Sequence, residues 1–147
     1  MTEEEIEEGN GAQKPKKFAM VLADGHFDKA MMPFIMGNVG AAMGMEVHIF
    51  FTFFGLKILK KGNRPKLPGL MALFTGMIEK KMKGMGIESI QGQLEEAISL
   101  GVHLYACSTS MEVMGIKKED LIDGVEVVGA ATFLDIAADS DIQLFIS

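Results

Sequence analysis

Five short apolar runs, each separated from the next by a segment of helical pattern, constrain this chain more than any other feature. They are FAMVLA (18–23), EVHIFFT (46–52), VHLYAC (102–107), VEVVGA (125–130) and IQLFIS (142–147). Continuous apolar runs of this length suit strands buried on both faces. No Asn-Gly type of hairpin dipeptide joins two of them, so consecutive strands are expected to be parallel and linked by right-handed helical crossovers. The expectation is an α/β fold around a five-stranded, mostly parallel sheet. A chain of 147 residues suits one such domain with a substantial core.

The connecting segments carry their own punctuation. HFDKAMMPFIMGNVGAAMGM reads as a long helix, with Asp24 or Asp28 as its cap and Pro33 early, where a missing N–H costs least. Gly37, Gly40 and Gly44 place small residues on neighbouring turns, which suits close packing on the sheet, and Gly44 marks the end. FGLKILKKG reads as a short helix stopped by Gly62, and NRPKLPG as a loop. LMALFTGMIEKKMKGMG reads as a methionine-rich helix, SIQGQLEEAISLG as an amphipathic one, and TSMEVMGI as a short one ending at Gly115. KKEDLID reads as a further helical turn. Residues 1–16, which combine a carboxylate run with Gly, Asn, Gln and Pro, read as a disordered acidic tail before a single domain at 17–147.

Several classes are disfavoured. A net charge of -6 argues against a nucleic-acid partner, which needs a basic face. The start MTEEEIEEG lacks the basic and apolar regions of a secretory signal. The run VHIFFTFFGL is too short to span a bilayer and is broken by Lys57. One cysteine forms no internal disulfide, and a cytoplasmic protein is expected. There is no P-loop, no GxGxxG after a strand and no GxSxG elbow. His26, His48 and His103 fall in different segments and form no zinc pattern with the cysteine, so neither a metal nor a cofactor is expected.

Chemistry therefore falls on Cys107. Ligands of open parallel sheets gather beyond the carboxyl ends of strands. Cys107 ends its strand and precedes a helix, so the backbone N–H groups of Ser108, Thr109 and Ser110 are placed to favour a sulfur anion. Ser108 and Thr109 add hydroxyls and are candidate caps. His26 and Gly25 follow the first strand, again at a carboxyl end. His26 is a candidate cationic partner of Cys107, although exposure in a first helical turn is the simpler reading. Gly25, His26, Ser108, Thr109 and Ser110 are thus the candidate substrate-binding residues around a catalytic Cys107. Against this stands the ordinary behaviour of a free cysteine, which is buried and inert.

His48 and His103 lie inside strands, where a hydrogen-bonded core or interface role is the simpler reading. Lys57, Lys60, Lys61, Arg64 and Lys66 form a local basic patch able to steer an acidic partner. Met71, Met77, Met82 and Met85 read as core more readily than as a docking surface, though nearby glycines make the segment a candidate lid.

Three blocks, DGHFDKAMMPFIMGNVGAAMGMEVHIFFTFFGLKILKKG, GVHLYACSTSMEVMGI and VEVVGAATFLDIAADSDIQLFIS, resemble the DsrE/DsrF/DsrH-like proteins, in particular the peroxiredoxin-associated DsrE-like subgroup. The resemblance runs from about Lys17 to Ser147. It implies a three-layer α/β/α sandwich, assembly as a homo-oligomer, and a cysteine that carries sulfur as a persulfide in relay with rhodanese-like and TusA-like proteins. The matching position is Cys107. Some relatives carry a second cysteine, which this chain lacks, so release of the sulfur would need an outside thiol. The expected function is that of a sulfur carrier or sulfurtransferase subunit. The alternative is a non-catalytic ligand-binding or assembly module in which Cys107 is only a wall.

Overall fold

The computed structural model describes residues 15–147, so most of the expected acidic tail, residues 1–14, lies outside the described residues. The five apolar runs form strands β1 (Lys17–Leu22), β2 (Glu46–Phe51), β3 (His103–Cys107), β4 (Val125–Val128) and β5 (Ile142–Ile146). They join in one sheet of order β4-β3-β2-β1-β5, and every pairing is parallel. The chain steps outward from β1 to β4 and then crosses back to place β5 on the other side of β1. The helices are α1 (Phe27–Ala42), α2 (Leu56–Leu59), α3 (Thr75–Gly84), α4 (Ile90–Ser99), α5 (Ser108–Met114) and α6 (Ala130–Ala138).

Alternation along the strands sorts side chains into two layers. Phe18, Met20 and Leu22 of β1, Val47, Ile49 and Phe51 of β2, and Leu104 and Ala106 of β3 share one core with α1, α2 and α4. Full burial of a side chain such as Phe34 or Phe51 contributes roughly 1.5–3 kcal/mol. The opposite face carries Ala19, Phe50, Tyr105, Cys107 and Val128, with Phe133 of α6 packed over them. The result is the three-layer α/β/α sandwich. The run VHIFF lies within the fold, with Val47, Ile49 and Phe51 buried.

The glycines of α1 explain how close it comes to the sheet. A Cβ on Gly37 would sit 3.0 Å from Met20 Cε, and one on Gly40 would sit 3.4 Å from Phe18 Cδ2. Gly44, with φ of +90° and no neighbour within 4 Å of such a Cβ, instead ends the helix. The N–H of Met45 reaches the Gly40 carbonyl at 2.9 Å and that of Gly44 the Ala41 carbonyl at 3.0 Å, the paired bonds of a Schellman stop.

Several local expectations are corrected. The residue capping α1 is His26, and neither Asp24 nor Asp28 caps it. Asp24 instead accepts the His26 N–H at 2.7 Å and fixes the turn before the helix. Pro33 lies in the second turn, beyond the N–H groups that lack a partner anyway. The segment after β2 starts as a 3-10 turn, Phe53–Gly55, and its α-helix ends at Leu59, before Gly62. It ends there because Lys60 pairs with Leu121 and the Lys61 N–H is taken by the Asp120 carbonyl at 3.0 Å. The methionine-rich segment is broken into a 3-10 turn, Gly69–Phe74, and α3. The helical turn at 117–123 is a 3-10 turn, Lys118–Asp120.

Candidate functional site

Cys107 is the last residue of β3 and the residue that opens α5. Its register partner is Val128, the last residue of β4. On the other side, Phe51 of β2 pairs with Ala106, so Thr52, the next residue, emerges beside the cysteine. The backbone then turns sharply. Thr52 donates its N–H to the Leu22 carbonyl at 3.0 Å. Phe53 adopts φ of +46°, a left-handed conformation that is strained for a bulky residue. Gly55 packs so tightly on the end of β1 that a Cβ there would lie 2.1 Å from the Leu22 carbonyl oxygen. This turn aims the Thr52 hydroxyl at Ser110 Oγ, 2.7 Å away.

Ser110 is 1% exposed and Cys107 6%. Burial pushes the Cys107 thiol up, because it penalises the anion. The hydroxyl and N–H of Ser110, the Thr52 hydroxyl and the Thr109 N–H outweigh it, and the thiol lies below its ordinary value of 9.0. The two amides belong to the second and third residues of α5, where a capping side chain finds its donors. The thiol form makes no full capping bond. Thr52 and Ser110 have one hydroxyl proton each, and their mutual bond uses one. The other remains for the sulfur, so the pair works as a relay that ends on Cys107.

Among the candidates from sequence, Thr109 and Ser110 thus gather around the sulfur. The residue capping α5 is Cys107, so neither Ser108 nor Thr109, which lie inside the helix, is its cap. Ser108 is exposed, and its Oγ lies 3.8 Å from where a Cβ on Gly129, just past β4, would sit. His26 is held by Asp24, whose Oδ1 lies 2.8 Å from the ring Nδ1. Partial burial raises the Asp24 carboxyl, but the His26 N–H and ring together take it below its ordinary value. Gly25 and His26 line a cavity of about 430 Å3 with Lys57, Arg64 and Lys66, and Cys107 is not part of that lining. A Cβ on Gly25 would meet the Phe54 carbonyl oxygen at 2.6 Å, so Gly25 lets two loops touch. Sequence reasoning missed Thr52. The rule that selects Cys107, position at a strand's carboxyl end, applies equally to the residue after β2.

His48 and His103 are register partners on β2 and β3. Their rings stack with centroids 4.6 Å apart. His48 is buried, with Nδ1 2.7 Å from the Tyr105 hydroxyl and Nε2 2.9 Å from Glu46. Burial leads in holding His48 below its ordinary value, against the pull of Glu46. Burial also pushes Tyr105 up to about 12, helped by Glu126 and Glu46, so it remains a phenol. Met71, Met77 and Met85 are more than half exposed, while Met82 packs against the main core.

The fold and this cluster define an α/β protein with a single thiol, supplied with hydrogen-bond donors, at the carboxyl edge of a parallel sheet. The DsrE/DsrF/DrsH-like family pattern matches residues 14–71 and 66–145, and the chain belongs to that family. It is 36% identical to the sulfur carrier protein DsrE2 of Allochromatium vinosum, over 89% of this chain and 98% of that one. It is 32% identical to the uncharacterised protein YrkE of Bacillus subtilis, over 91% of this chain and 99% of that one. The crystal structure of the YchN protein of E. coli has the same fold, with a TM-score of 0.62 at 18% identity, covering 89% of this chain and 99% of that one. Among the described residues no helix is long and apolar enough to cross a membrane.

Proposed function

We propose that this protein is a cytoplasmic sulfur carrier in which Cys107 holds sulfane sulfur as a persulfide. The observation that carries the reading is the set of donors around Cys107, from Ser110, Thr52 and Thr109, that favours its anion despite burial. The likeness to a protein named as a sulfur carrier supports it. The Cys107 thiolate attacks the outer sulfur of a donor persulfide. One S–S bond forms on Cys107, the donor's S–S bond breaks, and the donor leaves as a thiolate, with no net oxidation. An acceptor thiolate then takes the outer sulfur in the reverse sense. With one cysteine in the chain, no internal disulfide intercepts the persulfide. Rhodanese-like and TusA-like proteins are the proposed donor and acceptor classes. Ser108, Gly25 and His26 would meet the partner, together with the basic lining of the adjoining cavity.

Self-assembly belongs to the same proposal. Leu70 and Leu73 are each 85% exposed beside the exposed Met71 and Met77, which leaves an apolar surface suited to a second copy. Light scattering is expected to give a mass above that of one chain.

The reduced protein is to be incubated with polysulfide or a persulfidated rhodanese, desalted and weighed intact. The expected result is one added sulfur, about 32 Da, removed by reductant and absent in Cys107→Ser. Burial of Cys107 favours the second reading, a binding or assembly module. A wild-type protein that takes up no sulfur, and whose native thiol also resists alkylation, establishes that reading instead.

A further inference from the structure

A second cluster lies on the same face of the sheet as Cys107, toward the amino ends of the strands. Cys107, Tyr105 and His103 alternate along β3, so Cys107 and His103 are about 13 Å apart at the rise of an extended chain. Parallel register sets His103 directly beside His48, and Glu46 stands two residues before His48 on the same side of β2. One ligand atom from each of Glu46, His48 and His103 lies within 4.8 Å of the others. We propose that these three side chains form a binding site for a first-row divalent cation of the zinc class.

The donor set is chemically suited to that ion. Two imidazoles and one carboxylate are the protein ligands of an open tetrahedral zinc site, whose fourth position is left to water. In such a site the donor atoms are roughly 3.3 Å apart, given bonds of about 2.0 Å. Closing from the observed spacing needs side-chain rotation only, because Glu46 and His103 are exposed. His48 is the fixed point. It is 5% exposed, and its Nδ1 lies 2.7 Å from the Tyr105 hydroxyl, which can accept the ring proton at Nδ1 once Nε2 gives up its own proton to take the metal. A hydrogen-bonded outer group that sets the tautomer of a ligating histidine is a regular part of metal sites. Nε2 already faces Glu46, the carboxylate that would share the ion.

Surrounding charge permits a cation. Glu126 pairs in register with Tyr105 and adds a carboxylate on this face. Lys17, opposite Glu46 in β1, is engaged by Asp139 at 3.0 Å. Linear spacing conceals the site, because β2 and β3 bring its two histidines together from opposite ends of the crossover that holds α2, α3 and α4.

The test uses the full chain carrying Cys107→Ser, so that no thiolate contributes. After treatment with chelator, zinc is titrated calorimetrically and cobalt(II) by visible absorption. One equivalent per chain is expected, with a tetrahedral cobalt spectrum and a zinc-dependent rise in melting temperature. His103→Ala and Glu46→Gln, both at exposed positions, are expected to weaken zinc at least tenfold with unchanged circular dichroism, and His26→Ala to leave it intact. Absence of binding overturns the proposal, and so does binding that His103→Ala leaves unchanged. Zinc that binds wild type but is lost with Cys107→Ser assigns the metal to the thiol and overturns it as well. Persulfide uptake by wild type is scored separately, so the two proposals stand or fall independently.

Discussion

The hydroxyl oxygens of Thr52 and Ser110 lie 2.7 Å apart, one just past β2 and the other in the first turn of α5, and share one hydrogen bond beside Cys107. Thr52→Val and Ser110→Ala each break this relay and take away one of the two hydroxyls that favour the sulfur anion. A hydrogen bond to a charged group contributes about 1.5–3 kcal/mol. Both variants are expected to hold less thiolate near neutrality, by about tenfold or more at that energy, as read from ultraviolet thiolate absorbance against pH. Wild-type titration in Thr52→Val would remove Thr52 from the site.

The same donors make stability depend on pH. The folded protein holds the Cys107 thiol below 9.0, the ordinary value that the unfolded chain retains. Between the folded value and 9.0 the unfolded chain binds more protons, so the stabilisation grows as pH rises and is complete above 9.0. It is lost as pH falls through the folded value. Denaturant melts of wild type and Cys107→Ala are expected to diverge in the wild type's favour as pH climbs through that window. A constant difference across it would mean that the thiol is not depressed.

Gly55→Ala places a methyl group 2.1 Å from the Leu22 carbonyl oxygen, a backbone atom that cannot swing away. The end of β1 and the turn carrying Thr52 must separate. The expected cost is about 3 kcal/mol, the upper part of the range for overpacking. The check is a denaturant midpoint, with thiol titration reporting whether Thr52 has moved with the turn.

Phe133 stacks on Phe50 with centroids 4.6 Å apart and closes the small core that contains Cys107. Phe133→Ala is expected to destabilise the chain by about 3 kcal/mol and to speed alkylation of Cys107 under native conditions. Destabilisation without faster labelling would show that α6 is not the cover over the sulfur.

Much of this architecture is legible in the order of residues. The run FAMVLA is apolar without alternation because both faces of its strand are covered, and that pattern implies parallel strands with helical crossovers. The position of Cys107 between a strand and a helix is equally local, and so is the stop at Gly115, whose φ of +66° suits glycine. What sequence does not contain is which strand ends meet. Thr52 reaches Ser110 only because β2 and β3 are neighbours in the order β4-β3-β2-β1-β5. The stacking of His48 on His103 depends on the same adjacency, and strand order likewise leaves His26, tied to Asp24, in a cavity that Cys107 does not line. Local pattern reflects which face of each element is buried, a property of one segment at a time. Adjacency and register are set by how all the crossovers pack together, so the partners of the sulfur and of the histidines are fixed only in the folded sheet.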